Sequence, residues 1–290
     1  MKKVEVDVAT HQSHQRMLLV ILKEFDRVCK ILDIPYVLFA GTMLGAVRHQ
    51  GFIPWDDDLD IMMLREDYDR FLREADGVLD REKFFLQKEF SQHWPMFFSK
   101  LRLNGTTCLE KYHPRDKKVH QGIYIDLFPC DAALESEVGR RLQFLSSKVV
   151  IAKSLDKRGY DTDSKKKKLL MMLCKILPMK PFLALTKCGN SRSGKVHSFL
   201  GGASKYIKNI YPRAYFEKRM EMEFEDGCYP VSAEYDALLQ MLYGDYMTLP
   251  SPEERQCKQH AILIDLYHSY EIYENYRDGM TFDIHTRSIR

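Results

Sequence analysis

Four aspartates fall within five positions of residues 55–61, Trp-Asp-Asp-Asp-Leu-Asp-Ile, and three apolar residues follow directly. If the chain from Asp58 onward is a β-strand, alternate side chains point to opposite faces, so Asp56, Asp58 and Asp60 share one face while the neighbouring leucine and isoleucine enter a core. Two carboxylates about 6–7 Å apart repel each other by about 2–3 kcal/mol at an effective dielectric constant of about 20. A divalent cation removes this repulsion, and oxygen ligands favour Mg²⁺, Mn²⁺ or Ca²⁺. The segment therefore predicts a metal site.

Two other interpretations of the acidic segment are open. A run of aspartates is usually a solvated turn, but this run has apolar residues on both sides. The aspartates also match positions 1, 3 and 5 of an EF-hand calcium loop, with Asp67 at position 12. That loop needs glycine at position 6, where this chain has Ile61. A metal site beside a strand explains the pattern better than either alternative.

Residues that precede the acidic segment form a candidate substrate site. Gly41-Thr42 opens a short predicted helix that reaches Arg48, and such a turn presents backbone N–H groups and a hydroxyl to an anion. Arg48 has donors for phosphate, and its alternative is an ion pair with an aspartate. His49 is predicted to contact substrate, and the alternative is a histidine that caps the helix or lies on the surface. Three interpretations of Trp55 are open: its ring stacks on a base, covers a cation or packs in the core.

A further carboxylate and two cations lie on later predicted strands. Asp126 stands between apolar residues in segment 122–129, where an unpaired charge is costly. The charge therefore needs a partner, and a buried salt bridge to Lys100 or Arg102 is one interpretation. Lys100 and Arg102 alternate with leucines in 96–103, so both lie on one face of the strand. Two interpretations of this face are open: the two cations contact phosphate, or they lie on a solvated face at the edge of the sheet.

Periodicity predicts the elements that position these residues. Apolar residues at helical spacing predict amphipathic helices over 14–33 and 66–79, and another helix is predicted over 135–157. A buried strand is predicted over 36–40 and a further strand over 84–90, in addition to the strands that carry the candidate site residues. Strands and helices in this mixture predict an α+β fold.

The composition is that of an ordinary globular protein. The chain has 290 residues, 45% hydrophobic and 29% charged, and can bury a sizeable core in one domain or two. The seven cysteines are scattered, with no Cys-x-x-Cys pair, which argues against a disulfide framework and structural zinc. The first residues lack the apolar core of a signal peptide, and no run of about 20 apolar residues predicts a spanning helix. We therefore expect a cytoplasmic protein.

A basic segment occupies the middle of the chain. Residues 148–195 contain 13 Lys or Arg and three Asp, and four consecutive lysines precede the apolar stretch 169–174. This combination suits peripheral contact with the inner face of an anionic membrane, and its alternative is a solvated loop beside a core helix. Binding of nucleic acid needs a broader basic surface or a reading motif, so we expect no nucleic-acid partner.

Several stretches carry a family resemblance. Residues 41–49, Gly-Thr-Met-Leu-Gly-Ala-Val-Arg-His, and 51–61, Gly-Phe-Ile-Pro-Trp-Asp-Asp-Asp-Leu-Asp-Ile, closely resemble the signature of the LicD family. Segment 122–129 resembles the family's Gly-x-x-Ile-Asp-x-Phe-Pro pattern, and 243–247 its closing Tyr-Gly-Asp-Tyr-Met. The family looks like a branch of the polymerase-beta-type nucleotidyltransferases. Fukutin-related protein shares its Ile-Pro-Trp-Asp-x-Asp-x-Asp core.

The resemblance implies a fold and a set of site residues. It implies a single domain over 14–290, with a nucleotidyltransferase-like mixed β-sheet flanked by helices over about 14–134. A basic and mainly helical part follows over about 135–290. Asp58, Asp60 and Asp126 would be catalytic, and the same three residues with Asp56 would hold Mg²⁺ or Mn²⁺. The residues implied to bind substrate are Gly41, Thr42, Arg48, His49, Trp55, Lys100 and Arg102.

The resemblance also implies an activity. Family members are phosphotransferases, so we expect transfer of phosphocholine from CDP-choline to a hydroxyl of a cell-surface glycan or its lipid-linked precursor, with release of CMP. Such glycans include lipopolysaccharide, teichoic acid and capsule. Another CDP-alcohol, such as CDP-ribitol or CDP-glycerol, is an alternative donor. A nucleotidyltransferase that releases pyrophosphate from CTP or ATP is an alternative enzyme, and a non-catalytic calcium or partner-binding protein is the alternative outside enzymes.

Overall fold

A computed structural model of the protein describes residues 8–110, 118–160, 162–190, 193–201, 205–255, 261–273, 282–283 and 288–289. The helices of the described residues are α1 (Val8–Leu32), α2 (Ala40–His49), α3 (Arg65–Glu74), α4 (Glu137–Arg158), α5 (Lys165–Lys175), α6 (Met179–Lys187), α7 (Ala214–Glu217) and α8 (Tyr235–Tyr243).

The described strands in the first half of the chain are β1 (Val37–Leu38), β2 (Asp60–Leu64), β3 (Phe84–Gln87), β4 (Ser99–Leu103), β5 (Thr107–Glu110) and β6 (Tyr124–Ala132). Those of the second half are β7 (Lys195–His197), β8 (Ile210–Pro212), β9 (Arg219–Phe224), β10 (Gly227–Ser232), β11 (Ala261–Asp265), β12 (Phe282–Asp283) and β13 (Ser288–Ile289).

A mixed sheet forms the centre of the fold, with strand order β1-β2-β6-β4-β3. Strands β2 and β6 are parallel, whereas β1, β3 and β4 pair with antiparallel neighbours. Beyond this row, β7 pairs with the far end of β6 and β8 with β7. The sheet and its helices confirm the predicted α+β class.

Helix α1 covers the sheet with a continuous apolar face. Leu18, Ile21, Leu22, Phe25 and Val28 are at most 1% exposed and belong to the main core, which also contains the apolar residues of the central strands. Their spacing of three and four residues places them along one side of the helix. Each such burial stabilises the fold by about 1.5–3 kcal/mol, so α1 is held firmly beside the acidic segment.

The acidic segment enters the sheet later than predicted. Strand β2 begins at Asp60 and not at Asp58, because a turn precedes it in which the N–H of Asp56 donates to the carbonyl of Ile53 at 2.9 Å. The predicted strand over 36–40 is likewise only two residues long, since α2 already begins at Ala40. Three of the aspartates therefore lie on an extended connection that leads into β2.

The C-terminal part is helical through α4, α5 and α6, as predicted, and it also contributes strands to the fold. β9 and β10 form an antiparallel hairpin, and β11 pairs with β5. No helix of the described residues is by itself long and apolar enough to cross a bilayer. Residues 167–175 and α6, bent by 107° relative to each other, reach that length and composition only together.

Candidate functional site

The parallel pair of β2 and β6 brings two of the predicted carboxylates together. Asp60 lies directly opposite Asp126 in the register of the two strands, and neighbouring strands are about 5 Å apart. The N–H of Asp126 also donates to the carbonyl of Leu59 at 2.9 Å. Leu59 and Ile61 are fully buried, so the predicted alternation of core and site residues holds around Asp60.

The remaining aspartates form a compact group ahead of β2. Carboxylate oxygens of Asp56, Asp57 and Asp58 lie within 4.8 Å of one another. Asp57 was not among the predicted site residues. From α1, the side-chain amide of Gln15 donates to the carbonyl of Ile53 at 3.1 Å and to that of Asp56 at 2.9 Å. Gln15 thereby fixes the turn, a role that nothing in the sequence indicated.

Helix α2 is tied to the acidic residues by Gly41 and Thr42. The N–H of Asp60 donates to the hydroxyl oxygen of Thr42 at 2.8 Å, and Thr42 is buried. A Cβ at Gly41 would lie 2.7 Å from a carboxylate oxygen of Asp56, so a larger residue here would displace this carboxylate from the start of α2. The structure thus gives both residues a positioning role, and the phosphate contact predicted for them stays a prediction.

The close carboxylates perturb one another. Burial raises the pKa of Asp60 well above its usual range, and the negative charges of Asp58, Asp126 and Asp56 raise it further. Burial also raises the pKa of Asp126, while the charge of Lys100 opposes this shift. The buried cation beside Asp126 does not by itself offset this many carboxylates, so the group attracts further positive charge.

Lys100 is that buried cation. It is 1% exposed, and its ammonium lies 3.2 Å from Oδ1 of Asp126 and 3.3 Å from Oε1 of Glu110. The ammonium also lies 3.1 Å from the centre of the Tyr124 ring. Arg158 donates to the other oxygen of Glu110. A chain of ion pairs therefore runs from Asp126 through Lys100 and Glu110 to Arg158, and the alternative of a salt bridge at Asp126 is realised through Lys100.

Arg102 lies on the same face of β4 as Lys100, as predicted, but neither forms the predicted solvated edge. Arg102 is fully buried; it donates to the side chain of Gln87 and to the carbonyl of Gly122, both at 2.7 Å. Its guanidinium carbon lies 4.7 Å from the centre of the Tyr124 ring. Because β3 and the aromatic side chains enclose both cations, the structure places them beneath the carboxylates, and a direct contact of either with phosphate does not follow from this position.

Arg48, His49 and Trp55 lie together beside the acidic turn. Arg48 donates to the carbonyl of Tyr246 at 2.7 Å. The His49 ring stands perpendicular to the Trp55 ring with centroids 6.1 Å apart, and the guanidinium carbon of Arg255 lies 5.8 Å from the Trp55 ring centre. Trp55 is half-buried against the main core. These contacts join the three residues to Tyr246 and Arg255, and the substrate contact predicted for them stays a prediction.

Tyr243 is a further residue of the site that was not assigned a role from the sequence. Partial burial raises the pKa of its hydroxyl, and the charges of Asp60, Asp56 and Asp58 raise it further, which places the hydroxyl near the carboxylates. Its side chain is 47% exposed. The only signal in the sequence was its position at the start of the Tyr-Gly-Asp-Tyr-Met element.

The carboxylate group fits a hard divalent cation. Oδ1 of Asp126 is buried, and the ammonium of Lys100 contacts it at 3.2 Å. Asp60 lies directly beside it in the sheet, and Asp56 and Asp58 contribute to the raised pKa of Asp60. Carboxylate oxygens are the preferred ligands of Mg²⁺ and Mn²⁺. The four residues predicted to bind metal are therefore suited to it.

Comparisons with known proteins bear on this site. The sequence model of the LicD/FKTN/FKRP nucleotidyltransferase domain matches residues 33–137. Lipopolysaccharide cholinephosphotransferase LicD of Haemophilus influenzae is 30% identical over 275 residues, which cover 87% of this chain and 96% of the relative. An uncharacterized protein of Rickettsia typhi is 34% identical over 122 residues, 41% of this chain and 35% of its own length. The matched residues 33–137 include all of the site residues predicted from the sequence.

Proposed function

The chain belongs to the LicD family of phosphotransferases, and we propose that it transfers phosphocholine from CDP-choline to a hydroxyl of a cell-surface glycan or its lipid-linked precursor, releasing CMP. The observation that carries this proposal is the similarity to the Haemophilus cholinephosphotransferase along 96% of that protein. The pairing of Asp60 with Asp126 supports the proposal as well, because it brings together two carboxylates that are suited to the metal ion of a phosphoryl transfer.

We propose that Mg²⁺ or Mn²⁺ is held by four carboxylates, those of Asp56, Asp58, Asp60 and Asp126. When bound, the metal neutralises the negative charge of the donor diphosphate, which is the main requirement of phosphoryl transfer. The chain itself then has to orient the two substrates and accept a proton. Gly41 and Thr42 hold the start of α2 against the carboxylates. The N–H groups of Thr42 and Met43 donate to the carbonyl of Phe39, so those of Ala40 and Gly41 are the candidates for phosphate oxygens.

The proposed reaction breaks one P–O bond and forms another. The oxygen of the acceptor hydroxyl bonds to the phosphorus that carries choline, and the bond from this phosphorus to the bridging oxygen breaks, so the electron pair leaves with CMP. An aspartate of the group takes the hydroxyl proton. Arg48 has donors beyond its bond to Tyr246 and is proposed to neutralise charge on the phosphates.

We propose further that the enzyme is cytoplasmic and contacts the inner face of the membrane through residues of 148–195. The apolar side chains of α5 are unpartnered on one side: Leu173 is 54% exposed, and Ile176 directly after the helix is 85% exposed. Lys165 and Lys167 at the start of α5 are exposed as well. Cations beside an exposed apolar face match an anionic lipid surface.

Thermal unfolding with different nucleotides tests the donor. In the presence of Mg²⁺ we expect CDP-choline to raise Tm more than CDP-ribitol, CDP-glycerol, CTP or ATP. A ligand at about 100 times its Kd stabilises the folded state by about 2.7 kcal/mol, which is a shift of several degrees. Analysis of the products then separates the activities, because a phosphocholine transferase releases CMP. Preference for a triphosphate and release of pyrophosphate would instead identify a nucleotidyltransferase.

A matched pair of variants tests the acidic group. Asp58→Asn should lower kcat by about 10² or more without lowering Tm, because the substitution also removes repulsion between carboxylates. Asp33→Asn is the control, since Asp33 is exposed after α1 at a φ of 50°, which asparagine tolerates. Full activity of Asp58→Asn would contradict a catalytic role of the group.

A further inference from the structure

A cavity of about 570 Å³ opens between the loop 90–95, the end of α4 and the start of α6. Three cations line it, Lys157, Arg158 and Lys180, and apolar side chains such as Met179 and Leu183 form much of the remaining wall. No carboxylate stands among the described residues that line it. A cavity of this size with cations on an apolar wall suits a ligand that is both anionic and partly apolar.

Arg158 is built into the wall of this cavity. Its side chain is 10% exposed and pairs with Glu110, and its guanidinium carbon lies 4.9 Å from the centre of the Trp94 ring. Its Nε–H is buried without a hydrogen-bond partner among the described residues. Glu110 therefore does not satisfy all donors of this cation, and a stacked guanidinium of this kind is suited to phosphate.

Lys157 and Lys180 complete the positive charge of the cavity. Both are exposed, and neither forms an ion pair with a residue that the structure describes. Two ammonium groups in the lining, one from the end of α4 and one from the start of α6, favour an anion in the cavity.

The apolar wall continues toward an exposed apolar surface. Met179 begins α6, and only three residues earlier stands Ile176, which is 85% exposed. Helix α5, with its exposed leucines and methionine, ends directly before this point. A ligand with a phosphate in the cavity could therefore extend a hydrocarbon chain along the loop toward α5.

We propose that this cavity binds the phosphate-bearing head of an anionic lipid. The inference is independent of the proposed reaction, because it concerns one lipid molecule held within the fold and can be tested without turnover. Inorganic phosphate shares the anionic chemistry but not the chain, and it fills little of a cavity of 570 Å³. In a lipid, the phosphate can pair with the cations while the hydrocarbon chain packs against the apolar wall.

Isothermal titration calorimetry with dihexanoyl phosphatidic acid, kept below the concentration at which it forms micelles, tests the proposal on the full chain. We expect saturable binding to the wild type. Inorganic phosphate should bind at least about tenfold more weakly, since it buries no apolar surface. Dihexanoyl phosphatidylcholine should also bind more weakly, because its net charge is zero.

Two sets of variants locate the site. Replacing Lys157 and Lys180 together by alanine should weaken binding of the phosphatidic acid about tenfold or more. Replacing Lys205 and Lys218 together by alanine removes the same charge from exposed positions outside the cavity and should leave the affinity unchanged. Leu183→Asn should weaken binding of the lipid but not of inorganic phosphate. Arg158 is left intact because its partner Glu110 also pairs with Lys100.

Several outcomes would overturn the proposal. One is the absence of saturable binding by the wild type, and another is equal weakening by both pairs of lysine substitutions, which would indicate a diffuse basic surface. Inorganic phosphate that binds as tightly as phosphatidic acid would also overturn it, because the apolar wall would then contribute nothing. Phosphatidylcholine that binds as tightly would overturn it as well, because the cations would then contribute nothing. Far-ultraviolet circular dichroism of every variant confirms that losses of affinity are not losses of fold.

Discussion

Glu110→Gln probes the chain of ion pairs beneath the site. Although burial opposes the shift, the charges of Lys100, Arg158 and Arg102 lower the pKa of Glu110 from 4.5 to about 2. A shift of this size corresponds to about 3 kcal/mol of folding stability at neutral pH. Tyr124 also donates to Glu110 at 3.1 Å. We therefore expect Glu110→Gln to lower the free energy of unfolding at pH 7 by about 3 kcal/mol.

The pH dependence of this loss follows from the direction of the shift. Because the pKa of Glu110 is lower in the folded than in the unfolded state, its contribution is complete above pH 4.5 and decreases as the pH falls toward 2. At pH 3.5 the difference between wild type and Glu110→Gln should be about 1.4 kcal/mol smaller than at pH 7. Urea unfolding followed by tryptophan fluorescence measures both differences, and the exposed Glu82 provides the control Glu82→Gln, which should change stability little.

A double substitution decides whether the loss comes from the ion pair. Lys100→Met alone leaves Asp126 and Glu110 without their buried cation, so it should destabilise the fold by about 3–5 kcal/mol. Combined with Glu110→Gln, it should cost less than the sum of the single losses by 1 kcal/mol or more, as is typical of residues in contact. Additive losses, or a loss for Glu110→Gln that does not change between pH 7 and 3.5, would refute this account.

Three further substitutions test the site and the membrane contact. Gly41→Ala places a Cβ 2.7 Å from the present position of an Asp56 oxygen and should weaken Mn²⁺ binding, measured by electron paramagnetic resonance, about tenfold; unchanged affinity would argue against Asp56 as a ligand. Thr42→Val removes the acceptor of the Asp60 N–H and should cost about 1–3 kcal/mol in urea unfolding, whereas Thr42→Ser should cost much less; equal costs would exclude the hydrogen bond as the cause. Leu173→Asp should reduce flotation with phosphatidylglycerol vesicles about tenfold at unchanged Tm, because this side chain is exposed; undiminished flotation would exclude α5 from the contact.

The parts of the site that the sequence could predict are those set by local pattern. Leu59, Asp60 and Ile61 alternate between core and site because the period of a strand is two, whatever its neighbours are. The charge of Asp126 between apolar residues indicated a buried partner, since such a charge is costly alone. Both inferences needed only a few adjacent residues, and both describe what the structure shows around β2 and β6.

The parts that could not be predicted depend on contacts between distant segments. Gln15 acts on a turn 38 residues away, and Arg158 pairs with a glutamate 48 residues earlier in the chain. The start of β2 moved from Asp58 to Asp60 because a turn competes with the strand for the same residues, and propensity does not decide between them. The burial of Arg102 was missed for a related reason. The alternation of charged residues and leucines along β4 shows that Lys100 and Arg102 share a face of the strand, but not whether other parts of the chain cover that face.

The buried cation explains how so acidic a site can exist in a stable fold. Asp60 and Asp126 lie side by side within the sheet, where two uncompensated charges would oppose folding. Lys100 offsets part of this charge from beneath, and Glu110 and Arg158 in turn fix its position through ion pairs. A neutral residue in place of Lys100 would leave more of this charge uncompensated within the fold. Lys100 and Arg102 are fewer than the carboxylates around them, so the site stays net negative, which is the condition that the proposed metal-dependent transfer requires.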